Sequence, residues 1–71
     1  AYDRLWPELS PRERHIVGLI LEGHPTAAIA EKLALARGTV KNHRRSIYTK
    51  LDITTARALF LRYFDSPGGR S

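Results

Sequence analysis

The chain has no cysteine, no methionine and a single tryptophan in 71 residues. Without cysteine there is neither a disulfide framework nor a thiolate metal site, so a fold this small must be held by its packed core alone. His15 and His24 have no second ligand at metal spacing. No apolar run approaches a membrane span and no signal peptide is visible, which leads us to expect a cytoplasmic chain with no membrane partner. No set of nucleophile, base and oxyanion donors can be assembled, so no enzymatic activity and no cofactor are expected. The Gly68–Gly69 pair lacks the strand and helix that a phosphate loop requires. Aromatic residues make up only 8% of the chain, whereas hydrophobic residues reach 42%, with many Ala and Leu. That balance favours helix over strand. The first residue is Ala rather than Met, as expected of a piece cut from a longer protein.

The most informative absence is of acid. Between Glu31 and Asp52 there is none, yet that stretch carries six Lys or Arg. Outside residues 32–50 the chain has six basic and seven acidic residues, so the net charge of +5 is local. A local excess of this kind is attracted to polyanions and marks a nucleic-acid binder more than a merely soluble domain.

The pattern predicts four helices. Residues 1–9 show no helical period and read as a linker or N-terminal arm, with Leu5, Trp6 and Leu9 able to pack on the domain. Ser10, Pro11 and Glu13 form a helix start, as N-cap, first helical residue and capping-box partner. The first helix should run from Pro11 to about Glu22, with Ile16, Val17, Leu19 and Ile20 as its apolar stripe and Gly23 ending it in a left-handed conformation. Thr26 is the expected cap of a second helix that carries Ile29 and Leu33. A third helix should open at Gly38 and Thr39 and reach about Leu51. Thr54 or Thr55 caps a fourth, Ala56–Phe64. Residues 65–71 read as a flexible tail. The expected fold class is all-α: a four-helix bundle-like domain over residues 10–64 containing a helix-turn-helix.

Turned at about 100° per residue, the third helix gathers Val40, Ile47 and Leu51 on one buried stripe. Opposite them lie Gly38, Asn42, Arg45 and Thr49, flanked by Lys41 and Ser46. Arg and Lys pair with guanine and Asn with adenine, so this face can read base edges. Arg44 lies nearer the apolar edge and can snorkel outward, and Lys50 lies on the other flank. A merely solvated face would mix Glu with Lys in i,i+4 pairs, and this one has no Glu. The second and third helices, joined by a tight turn, form a helix-turn-helix whose second member enters the major groove. Ala30 is small where the two must approach closely. His43, on the inner flank, reads as a partly buried, hydrogen-bonded residue rather than a ligand.

From LSPRE at the first helix through EG, IAEKL, GTVKNH and IYTKLDI, the chain resembles the LuxR-type (GerE-like) helix-turn-helix domain of bacterial transcription regulators. The resemblance covers residues 9 to about 64. It implies a four-helix domain that binds double-stranded DNA as a homodimer, with the third helix in the major groove and much of the dimer contact from the fourth. Carried over by position, Lys41, Asn42 and Arg45 match base-facing residues, and Thr39 and Lys50 match positions near phosphates. Arg44 joins the expected backbone contacts from its place on the helix. Leu59, Phe60 and Tyr63 are the expected dimer residues, because the apolar side chains of the fourth helix spread over more than half its circumference. RNA polymerase is a further candidate partner. In the family a receiver or small-molecule sensor domain usually precedes this one.

Some positions depart from the family pattern. Ala36 stands where Ser is frequent and cannot cap the third helix, at an expected cost of about 1 kcal/mol. Ala27 and Ala28 occupy the places of a polar pair that can touch phosphates, Asp52 replaces a frequent Gly, and Ala56 stands where a basic residue is usual. Two rival readings remain: the promoter-recognition region of a sigma factor, and a protein-interaction module whose basic face binds an acidic partner.

Overall fold

The computed structural model describes residues 6–65. It contains four helices: α1 (Pro11–Leu21), α2 (Thr26–Leu33), α3 (Arg37–Leu51) and α4 (Ala56–Asp65). No strand occurs among the described residues. Leu5 lies outside them, as does the expected tail except for Asp65, which ends α4.

α1 starts as its sequence dictates. Ser10 Oγ accepts from the Glu13 N–H, and the Glu13 carboxylate accepts from the Ser10 N–H. The helix ends through Gly23 at φ 94, with the Gly23 N–H on the Ile20 carbonyl and the His24 N–H on that of Leu19. This pair of hydrogen bonds is the usual satisfaction of orphan carbonyls at a helix end. The turn ahead of α1 belongs to the core. Trp6 and Leu9 are buried, and the Arg14 guanidinium donates to both of their carbonyls.

α2 corrects one expectation. Its cap is Pro25, which offers no side-chain bond, while Thr26 is the first helical residue. The Thr26 hydroxyl is therefore free to accept from elsewhere. Ala34 and Asp52 follow α2 and α3 in the left-handed conformation, both at φ 56, and Leu35 and Ile53 then donate to the Ala30 and Tyr48 carbonyls. α3 begins at Arg37, with Ala36 as an N-cap lacking a side-chain bond. Thr55 Oγ1 accepts from the Ala58 N–H at the start of α4.

The core joins Trp6, Leu9, Ile16, Val17 and Ile20 to Ile29 and Ala30 of α2, Val40, Ile47 and Leu51 of α3, and Leu59 of α4. α2 and α3 pack on each other and on α1, and α4 packs on α1. Leu59, expected at a dimer surface, is fully buried within its own chain. α4 needs one residue to fill the space beside α1, and Leu59 takes that place. Phe60 and Tyr63 are half-buried against the same core.

Candidate nucleic-acid interface

α3 is held on two flanks and open on its third face. On the α1 side, Glu13 is the anchor. Its carboxylate accepts from Ser46 Oγ at 2.7 Å and Lys50 Nζ at 2.8 Å, as well as from the Ser10 N–H. Burial alone would raise the pKa of this carboxyl. The hydrogen bonds from Lys50, the Ser10 N–H and Ser46, with the charge of Lys50, outweigh burial and hold it at about 2. On the α2 side, the Arg44 guanidinium donates to Thr26 Oγ1 at 2.9 Å and to the Tyr48 hydroxyl at 3.0 Å, and lies over the Tyr48 ring.

These ties set the rotation of α3 and leave Gly38, Thr39, Lys41, Asn42, Arg45 and Thr49 exposed. Lys41, Asn42 and Arg45 have no hydrogen bond or ion pair from their side chains among the described residues, whereas Thr49 Oγ1 donates back to the Arg45 carbonyl. A Cβ at Gly38 would meet nothing within 4 Å, so its lack of a side chain serves no packing within the chain. Beside Lys41 and Arg45 an open groove of about 440 Å³ runs along Arg44, Tyr48 and Ile53 toward Thr26.

The residues expected to face bases thus share one exposed face. Thr39 is exposed at the N-terminal end of α3. Lys50 and Arg44, expected near phosphates, are anchored instead on α1 and α2, though the Lys50 side chain remains 41% exposed. His43 is half-buried, but the hydrogen bond expected of it is absent among the described residues. Sequence reasoning missed the link from Glu13 to α3 and the contribution of Tyr48. Glu13 carried a partial signal: an acid facing the interior, one turn into a helix, needs cationic partners beyond its own cap.

A family model described as "Bacterial regulatory proteins, luxR family" matches residues 7–62. The chain is 46% identical over 55 residues, 78% of its length and 25% of the relative's, to the transcriptional regulatory protein MctR of Rhizobium johnstonii. It is 37% identical over 54 residues, 76% of its length and 24% of the relative's, to the monoamine regulon transcriptional regulator of Klebsiella aerogenes. The chain spans about a quarter of the length of the curated relatives it matches. No solved structure gives a significant match.

Proposed function

The chain belongs to the luxR family of bacterial regulatory proteins, and from that premise we propose that it binds duplex DNA sequence-specifically, with α3 in the major groove. The observation that carries this reading is the exposed face of Lys41, Asn42 and Arg45, whose side chains are not engaged by other described residues. Unengaged donors beside a rigid helix meet base edges without first breaking internal bonds. Thr39, at the start of α3, contacts a phosphate. Lys50 and Arg44 flank the same face as anchored cations. Lys50 spends one of its N–H donors on Glu13 and Arg44 spends two on Thr26 and Tyr48, so each keeps donors for phosphate oxygens while its rotamer is already fixed.

The domain pairs with a second copy through α4, bringing two recognition helices about 34 Å apart on a pseudo-palindromic site. Leu59 takes no part. The pairing surface is Leu61 and Phe64, 56% and 57% exposed, with the outer edges of the half-buried Phe60 and Tyr63. So small a patch supports a weak dimer, which DNA strengthens. A DNA partner also places the chain in the cytoplasm.

Selection of bound duplexes from a random pool, followed by footprinting, tests the reading. We expect one enriched motif and two protected half-sites about one turn apart. Failure to enrich any motif would make the basic face a general polyanion or protein surface. One protected half-site at saturation would remove the dimer.

A further inference from the structure

We propose that Arg62 is a positioning residue that fixes the angle between α4 and α3 and thereby sets which half-site spacing the paired protein accepts. The proposal rests on the paired, DNA-reading function above.

Its geometry is specific. Leu51 is the last residue of α3. The carbonyls of Tyr48 and Thr49, within the same last turn, are taken by the N–H groups of Ile53 and Asp52. The Leu51 carbonyl instead accepts from Arg62 Nη1 at 2.6 Å, a bond that reaches back from α4 across the loop. A cation here meets the negative end of the α3 dipole, and a charge-assisted bond to a carbonyl is directional. On its other side the guanidinium faces Glu8, with Nη2 3.7 Å from Oε2. Glu8 belongs to the turn that Trp6 and Leu9 pin into the core. The guanidinium is thus held between the end of α3 and a fixed part of the domain.

Arg62 lies on neither working surface. It is about 100° around α4 from Leu61 and farther from Phe64, and it lies outside the outward face of α3. Its removal therefore leaves both the base-reading side chains and the apolar pairing residues in place. What it loosens is the junction over Asp52–Thr55, where Asp52 already holds an unfavoured left-handed conformation. A small turn of α4 at that junction barely changes how one domain reads one half-site. Across a two-fold axis the same turn displaces the partner's recognition helix along the DNA.

The test measures affinity for duplexes carrying one selected half-site, and for a series carrying two half-sites at stepped spacings. The wild-type chain is expected to prefer one spacing. Arg62→Ala should lose about three- to tenfold at that spacing, the size of one ordinary hydrogen bond, and show a flattened spacing profile. Its single half-site affinity should stay within about twofold. Arg62→Lys, which keeps a cationic donor, should recover most of the preference. A purely structural role would shift the thermal midpoint without moving the spacing profile. Should Arg62→Ala fail to fold, Glu8→Gln is read in the same series and should flatten the profile by a smaller factor. An unchanged profile in a folded variant, or an equal loss on single half-sites, overturns the proposal alone. A wild-type chain indifferent to spacing overturns both the proposal and the pairing.

Discussion

Replacing Glu13 by Gln isolates the charge at the centre of the α1–α3 contact. The side chain keeps its size. Its amide oxygen can still accept from the Ser10 N–H and Lys50, and the Ser46 hydroxyl can turn to accept from the new NH2 group. What disappears is the carboxylate facing Lys50. The folded carboxyl ionises at about 2 against an ordinary 4.5, a difference worth about 3 kcal/mol at 1.36 kcal/mol per unit. The Lys50 side chain is 41% exposed, so solvent screening reduces this to about 2 kcal/mol. That is a large share of the stability of a domain this small. Urea unfolding followed by the fluorescence of buried Trp6 measures it at neutral pH. The pH dependence gives an independent reading. Because the folded pKa lies below the unfolded one, the carboxylate's contribution is complete above about pH 5.5 and is lost as pH falls from about 4.5 toward 2. The gap between wild type and Glu13→Gln should therefore close on acidification. A gap below about 0.5 kcal/mol at neutral pH, or one that stays the same at low pH, would refute the assignment of Glu13 as the charged anchor.

Four further substitutions have outcomes set by the geometry. Ala34→Gly relieves a left-handed residue at φ 56 and should stabilise the domain by about 1 kcal/mol in the same urea experiment. Leu59→Ala should destabilise it by about 2–5 kcal/mol, whereas Leu61→Ser should leave stability within about 0.5 kcal/mol and weaken only the joint occupancy of two half-sites in a gel-shift titration. Lys50→Ala should weaken selected and random duplexes alike, but change the salt slope by less than the full unit of a free cation, because Glu13 already neutralises much of its charge.

Local signals in the sequence translated well into structure. The Ser10–Glu13 capping box, the left-handed Gly23 and the Val40, Ile47 and Leu51 stripe each depend on residues a few positions apart, and each appears as expected. Thr26 misled because a hydroxyl just before a helical run looks like a cap, although Pro25 can supply the extended cap backbone without any side-chain bond. Its hydroxyl serves Arg44 instead, 18 residues away. Glu13 reaches Ser46 and Lys50 across 33 and 37 residues, a pairing that no helical period encodes. α4 was the least legible helix. With apolar residues over most of its circumference, the wheel alone could not tell the buried Leu59 from the exposed Leu61 and Phe64. Only the position of α1 decides that.

The central claim is that the outward face of α3 reads bases, and Asn42→Ala tests it most directly. Asn42 is exposed and uncharged, so its loss cannot alter the electrostatic attraction common to all duplexes. Binding is measured at one fixed salt concentration, on the selected site and on random duplex. The account predicts a loss of about 1–3 kcal/mol on the selected site, relaxed preference at one or two base pairs, and unchanged affinity for random duplex. An equal loss on both, or none on either, would contradict it.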